Sequence, residues 1–376
     1  MSRSDNMSKY KWDLNELRLN KALLEYTHTQ LSKDINCDDL LELISGYSDM
    51  IMLAKKNKDF SSFNDTYQDI DLARLIDYLI YSYNEKNIKY IDLLLQTFLI
   101  INDTNFNCDI RNYNLAASND ELVNLCVDFF VKMTTPTLAS KFCGVLGNKN
   151  IINISYSKND SDSDYAGVTI FDRFLDKKYV QISRSNRLHD LSTLPHEMFH
   201  YLFNDSISGT TSNYNSYYLT EVEGAMANIL FSEYFVENAY DDNYFFKDYY
   251  KLAYVNQITD LVIRNGLIGS LDDKKKLKLN KLNKYLSYYD IDTFNTKEEI
   301  IPYLVMPEEV TIKYALSYLC AIDLYEMYKE DREKAFYHLK NICFNKRCDD
   351  IITLLRNNNI TFMDDGYKNL DKYLKK

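Results

Sequence analysis

The sequence predicts a mainly α-helical protein with one small β-sheet. Glycine (9 residues) and proline (4) are scarce in the chain of 376 residues, whereas tyrosine (33) and phenylalanine (19) are abundant. Few turn-forming residues and many large aromatic side chains indicate long helices that pack through aromatic contacts. A chain of this length buries roughly three quarters of its unfolded surface, so it can form a large core.

Composition disfavours several classes of protein. Lys and Arg total 44 and Asp and Glu total 55, which gives a net charge of −11 with neutral histidines. We therefore expect no binding to nucleic acid or to an anionic membrane surface. The seven cysteines are scattered without a Cys-x-x-Cys pair, which favours free thiols. The sequence shows no apolar leader and no membrane span, so a cytoplasmic location is expected, and the oligomeric state stays open.

Residues 1–145 are expected to form an α-helical N-terminal lobe. Apolar residues recur at helical spacing in the segments 17–26, 38–44, 72–81, 91–98 and 121–130. Their apolar stripes are expected to pack in the core rather than to bind a ligand. Residues 146–376 are expected to form a second region, in which a small sheet precedes further long helices.

Three short segments in this second region predict the sheet. Residues 150–156, 165–171 and 178–183 are rich in β-branched and aromatic side chains. The acidic cluster Asn159–Asp164 lacks the glycine and glutamate of an EF-hand loop, so we interpret it as a solvated loop. We predict that Lys178–Ser183 is an edge strand that pairs with an extended peptide, although a strand that only packs against the next helix fits the sequence as well.

The pentad His196-Glu197-Met198-Phe199-His200 carries the clearest chemical signal. On a helix, residues four apart lie on one face, so both imidazoles can bind one metal ion while Glu197 reaches a water beside it. Two of the five histidines of the chain fall in this pentad. Pro195 is expected in the first turn of this helix, with Ser192 or Thr193 as its cap. The alternative is a chance match on an ordinary amphipathic helix.

A catalytic zinc ion needs a third protein ligand and one open position. A helical pattern from about residue 217 to 235 contains two candidates, Glu221 and Glu223. Two residues on a helix are roughly 200° apart, so only one of them can face the histidines. We expect the other to be solvated or to bond to an imidazole.

Four segments together resemble the catalytic core of the oligoendopeptidase F and thimet oligopeptidase family of zinc peptidases. The segments are Asp164-Tyr-Ala-Gly-Val, Tyr179-Val-Gln-Ile-Ser, the helix from Leu191 to His200, and Tyr218-Leu-Thr-Glu-Val-Glu-Gly-Ala-Met-Ala-Asn. The resemblance covers about residues 160–376 and implies a zincin-like metallopeptidase fold, with the sheet next to the active site. It also implies one zinc ion held by His196, His200 and Glu221, so that residues 146–376 form the zinc peptidase catalytic region.

The chain departs from the family at several positions. Phe199 replaces a glycine inside the pentad, and Phe203 replaces a histidine that the family often has. Both changes are expected to spare the metal ligands and to alter the shape of the pocket. Farther along, Val310 and Ile312 replace two tyrosines.

The resemblance implies that a tyrosine holds the oxyanion, and two residues are candidates for this catalytic role. Tyr314 matches the end of the family's tyrosine run, and Tyr303 is a candidate substitute for the donors that are missing. Simple packing of both tyrosines in a tyrosine-rich chain is the alternative.

The function expected from these features is hydrolysis of internal bonds in short peptides by a zinc-dependent oligopeptidase. Glu197 would be the general base that activates a zinc-bound water. The alternative is a regulatory peptide-binding protein on the same scaffold. The sequence leaves open which peptide is cleaved and whether the N-terminal lobe limits its length.

Overall fold

The structure is a computed structural model that describes residues 76, 79–80, 85–102, 117–146, 151–156, 167–172, 177–184, 187–203, 218–238, 245–296, 298–300, 303–304, 308–345, 348 and 350–375. The helices predicted at 17–26 and 38–44 and the acidic loop at 159–164 lie outside the described residues. Of the helix predicted at 72–81, Ile76, Leu79 and Ile80 are described, and all three are helical.

Helices form most of the described chain. They are α1 (Glu85–Leu95), α2 (Phe98–Asn102), α3 (Asn119–Met133), α4 (Pro136–Leu146), α5 (Asp190–Phe203), α6 (Val222–Asn238), α7 (Phe245–Gly269), α8 (Leu279–Tyr288), α9 (Glu308–Glu330), α10 (Arg332–Asn345), α11 (Ile351–Asn357) and α12 (Lys368–Leu374). The strands are β1 (Ile152–Tyr156), β2 (Gly167–Asp172) and β3 (Lys177–Arg184). The predicted class, mainly α with a small sheet, is therefore confirmed. None of the described helices is long and apolar enough to cross a membrane.

The chain divides into two compact units. The described residues from 117 to 203 belong to the first unit, and those from 76 to 102 and from 218 to 375 belong to the second. This division differs from the boundary that we predicted between residues 145 and 146, which falls near the end of helix α4 and inside the first unit. The second unit takes helices from both sides of the first unit in the sequence, an arrangement that local patterns do not reveal.

The sheet lies in the first unit, and its strand order is β1-β3-β2. Strand β3 pairs in parallel with β1, with Val180 opposite Ile152, and antiparallel with β2, with Val180 opposite Thr169. The prediction that Lys178–Ser183 is an edge strand is therefore wrong, because these residues form the central strand. Val180 and Ile182 are buried, as expected for a central strand, but strand order depends on distant pairing partners and cannot be deduced from one segment.

Helix α5 starts at Asp190, earlier than we predicted. Pro195 is therefore the sixth residue of the helix rather than part of its first turn, and it cannot donate a backbone hydrogen bond there. Ser192 and Thr193 also lie inside the helix. Instead of capping it, their hydroxyls donate to the carbonyl of His189 at 2.9 Å and 3.3 Å. The predicted cap and start are corrected accordingly.

An aromatic core holds α5 in the first unit. The Phe199 ring is fully buried, and its centroid lies 6.2 Å from that of Phe129 and 5.5 Å from that of Phe130, both on α3. Phe203 follows one turn later at 5.6 Å from Phe199. The large side chain that replaces the family's glycine therefore fills the core of this unit.

The second unit contains a hydrophobic cluster in which helix α7 packs very closely against α8. The cluster includes Leu267, Leu282 and Leu286. Gly266 faces Tyr285, and a Cβ atom built at Gly266 would lie only 2.4 Å from Cδ1 of that ring. The close packing of these two helices therefore depends on the absence of a side chain at position 266.

Gly266→Ala is expected to destabilise the protein even though alanine favours helices more than glycine does. Overpacking of a core typically costs about 1 to 3 kcal/mol, and the Tyr285 ring is held by packing against the cluster and by the hydrogen bond that its hydroxyl accepts from Asn265 at 3.0 Å. Gly269→Ala on the same helix is the control, because a Cβ atom there meets nothing within 4 Å. Thermal or denaturant unfolding should show a loss of stability for Gly266→Ala alone. Equal stability of the two variants would contradict the packing described here.

Candidate active site

His196 and His200 lie one turn apart on the same face of α5. Their Nε2 atoms are 3.0 Å apart, and the two rings are nearly perpendicular, at 78°. Two nitrogens bound to one tetrahedral zinc ion at about 2.0–2.1 Å would be about 3.3 Å apart. His200 is buried and His196 is half-buried. The two imidazoles are therefore already arranged as two ligands of one ion would be.

Glu197 lies between the two histidines in sequence, and its side chain contacts strand β2. Its Oε2 atom lies 2.7 Å from Oγ1 of Thr169, and its own backbone oxygen lies 2.8 Å from the same hydroxyl. Only 6% of the residue is exposed. A carboxylate in such a place has few directions in which it can turn, because strand and helix hold it from both sides.

Polar contacts also fix the two ends of α5 to the rest of the first unit. Near its start, Asp190 lies 3.9 Å from the guanidinium of Arg184, the last residue of β3. Arg184 also donates to Asn119 at 2.9 Å and to the carbonyl of Ala117. The buried ion pair thus links the first turn of α5 to β3, and the two hydrogen bonds link Arg184 to the start of α3.

Near the C-terminal end of α5, Lys178 on β3 donates to the carbonyl of Tyr201 at 2.9 Å. Its ammonium also lies 5.4 Å from the centre of the Tyr201 ring. The central strand thus bonds to both ends of the helix, a role that the sequence did not reveal. The sequence signal for these contacts was the presence of a lysine and an arginine at opposite ends of a short strand with an apolar centre.

Glu221 lies in the second unit, immediately before helix α6. Its Oε1 atom accepts a hydrogen bond from Nζ of Lys313 on α9 at 2.9 Å. Both side chains are largely buried, at 11% and 6% exposure. We did not identify Lys313 from the sequence, although a lysine within the apolar run from Thr311 to Ala315 was a signal that it has a buried partner.

Glu223 is fully buried, so the expectation that the second glutamate is solvated is wrong. Its Oε2 atom accepts a hydrogen bond from Sγ of Cys343 on α10 at 3.4 Å. Glu221, immediately before α6, and Glu223, in the first turn of α6, therefore bond to different helices.

The two tyrosines proposed from the sequence have different surroundings in the second unit. Tyr303 packs against the hydrophobic cluster with its ring 5.5 Å from that of Phe294, and burial raises its pKa. Tyr314 is 39% exposed, and the ammonium of Lys313 lies 4.2 Å from the centre of its ring. The contacts of Tyr303 are those of a packing residue. The oxyanion role stays a prediction for both.

The fold matches that of a crystal structure assigned as a peptidase from Chlamydophila abortus. The TM-score is 0.58 at 12% sequence identity, and the match covers 80% of this chain and 56% of that one. Two structures assigned as oligoendopeptidase F also match. One has a TM-score of 0.48 at 12% identity and 90% and 63% coverage, and the other, from Bacillus anthracis, has a TM-score of 0.47 at 11% identity and 98% and 70% coverage. The sequence matches no family model and no curated protein.

The similarity to the Chlamydophila abortus structure supports the fold that the sequence motifs implied. The match spans 56% of the length of the Chlamydophila abortus peptidase. At 12% identity the likeness establishes the fold alone. The activity must therefore be argued from the side chains of the site.

Proposed function

We propose that this protein is a zinc-dependent metallo-oligopeptidase that hydrolyses internal bonds of short peptides. The observation that carries the proposal is the arrangement on α5, where two imidazole nitrogens converge to 3.0 Å beside a buried glutamate. The two nitrogens also lie at hydrogen-bond distance, so it is the buried carboxylate in the same helical turn that favours catalysis over a purely structural pair. Hydrolysis assisted by a metal ion uses imidazoles as ligands and a nearby carboxylate as general base.

We propose His196, His200 and Glu221 as the ligands of the ion. The two histidines come from α5, and the resemblance to the zinc peptidases supports Glu221 as the third ligand. Two imidazoles and one carboxylate form a common ligand set of catalytic zinc sites, and they leave a fourth position for water. When bound, zinc would lower the pKa of a water molecule and polarise the peptide carbonyl.

Glu197 is the proposed general base. Its carboxylate takes a proton from the attacking water and returns that proton to the leaving amine. Burial keeps competing water away from this carboxylate, and Thr169 keeps it in place. The substrate would then bind as an extended chain beside β2. That strand pairs with β3 on one side and with no described strand on the other.

For the oxyanion we propose Tyr314 in preference to Tyr303. Tyr314 follows Lys313 directly, and Lys313 bonds to the proposed metal ligand Glu221. Tyr303 instead packs into the hydrophobic cluster of the second unit. A phenol that donates to the developing charge lowers the barrier by stabilising the transition state more than the substrate.

Metal analysis combined with a peptide digest tests the proposed function. The purified protein is expected to hold roughly one zinc ion per chain and to cleave members of a short-peptide library, as read by mass spectrometry. A chelator should abolish cleavage, and added zinc should restore it. Cleavage that survives complete removal of metal would refute the proposal.

The same experiment distinguishes the oligopeptidase from a regulatory peptide-binding protein. This alternative is favoured by the replacement of two family tyrosines by Val310 and Ile312. That alternative predicts bound zinc and measurable peptide affinity without any cleaved product.

A further inference from the structure

We infer that strand β2 sets the direction of the Glu197 carboxylate, with Thr169 as the positioning residue and Gly167 providing the space. This inference rests on the proposed function, because it concerns the residue that we assign as general base. It adds two residues whose side-chain positions act on the reaction through Glu197.

The hydroxyl of Thr169 lies between two oxygens of the same residue. It is 2.7 Å from Oε2 of Glu197 and 2.8 Å from the backbone oxygen of Glu197. A threonine hydroxyl has one proton to donate and two lone pairs that accept. While the Glu197 carboxylate is ionised, the Thr169 hydroxyl can donate to it. Once Glu197 holds the proton of the water, the hydroxyl can accept from the carboxyl group and donate to the backbone oxygen instead. The same contact therefore persists on both sides of the proton transfer.

Thr169 is well placed to act as a fixed point. It lies in the middle of β2, directly opposite Val180 of the central strand, and Val180 is buried. A side chain on a paired strand is held more firmly than one on a loop. The sheet, as well as its own helix, thereby holds the Glu197 side chain in place.

Gly167 supports the same geometry through its lack of a side chain. It lies two residues before Thr169, so both residues face the same side of the sheet. A Cβ atom at Gly167 would lie 2.7 Å from Cγ of Glu197 and 2.8 Å from Cγ2 of Thr193. Its backbone conformation is one that any residue adopts, so only the space demands glycine here. Two independent features of β2 thus act on one carboxylate.

Kinetics of Thr169→Val provide the first test. Valine keeps the shape of threonine and removes the hydroxyl, so kcat is expected to fall about 10- to 100-fold, the scale of a misplacement of about 1 Å, with KM and bound zinc unchanged. Thr169→Ser keeps the hydroxyl and is expected to restore most of kcat. Gly167→Ala should lower kcat as Thr169→Val does, because it displaces Glu197 sterically.

Two matched variants of the first unit serve as controls. Thr134→Val makes the same isosteric change at a buried threonine whose hydroxyl donates to the carbonyl of Phe130 at 2.6 Å. Gly144→Ala adds a Cβ atom that meets nothing within 4 Å. Both are expected to keep the kcat of the wild-type protein. A wild-type kcat in Thr169→Val, or an equal loss in Thr169→Ser, would overturn the inference.

Crystal structures of the wild-type protein, Thr169→Val and Thr169→Ser provide a readout that does not depend on activity. The Glu197 carboxylate is expected to leave its wild-type position in Thr169→Val and to keep it in Thr169→Ser. An unmoved carboxylate in Thr169→Val would overturn the inference even if the protein cleaves peptides. Conversely, suppose that the wild-type protein binds zinc and cleaves nothing while the carboxylate is displaced in Thr169→Val. That result would refute the proposed function and leave the positioning by Thr169 established.

Discussion

Replacing Glu197 by glutamine is expected to reduce kcat for peptide cleavage about 10²- to 10⁴-fold, the usual contribution of a general base. Glutamine has nearly the same shape as glutamate, and its amide can still bond to the Thr169 hydroxyl, but it cannot accept a proton from water. Bound zinc and thermal stability should therefore stay at wild-type levels. Steady-state kinetics, metal analysis and thermal unfolding of the same preparation measure the three quantities.

Glu333→Gln is a suitable control for this variant, because Glu333 is an exposed glutamate on α10 and has no place in the proposed chemistry. It should cleave peptides at the wild-type rate. Undiminished cleavage by Glu197→Gln would remove the general base from the mechanism. Loss of zinc in Glu197→Gln would instead show that the substitution disturbs the metal site.

Glu221→Ala is expected to have two separate large effects. It removes a proposed metal ligand, so the affinity for zinc should fall by more than the roughly 10- to 100-fold that follows the loss of a group bonded only to a ligand. It also takes away the buried ion-pair partner of Lys313, a change that typically costs about 3 to 5 kcal/mol. Zinc titration against a chelating dye measures the first effect, and denaturant unfolding of the metal-free protein measures the second.

A double variant separates the two effects. Glu221→Leu combined with Lys313→Met replaces the pair by apolar side chains, so most of the lost stability should return while zinc binding stays lost. Glu223→Gln is the comparison for the choice of ligand, because Glu223 bonds to Cys343 and should leave the zinc in place. Loss of zinc in Glu223→Gln with retention in Glu221→Ala would reverse the assignment of the third ligand.

Features set by short-range geometry could be predicted from the sequence. The convergence of His196 and His200 follows from the pitch of one helix. The fold class followed from composition and from apolar spacing. None of these inferences required knowledge of which segments meet in space.

Features set by distant contacts could not be predicted in this way. Lys313 is 92 residues from Glu221, and Thr169 is 28 residues from Glu197, so no local pattern connects either pair. The central position of β3 has the same origin, since an apolar strand has similar residues whether one or two neighbours pair with it. Phe199 was expected to change the pocket, but whether a helix side chain faces a cleft or a core depends on what packs against it, here Phe129 and Phe130.

The ion pair between Lys313 and Glu221 has a consequence for how the protein matures. A buried carboxylate without a positive neighbour would oppose folding. Here the lysine of the same chain supplies that positive charge at 2.9 Å. We therefore expect the second unit to fold in the absence of metal, so that an ion bound at the proposed site would have to displace Lys313 from Glu221 or share Glu221 with it in a folded protein.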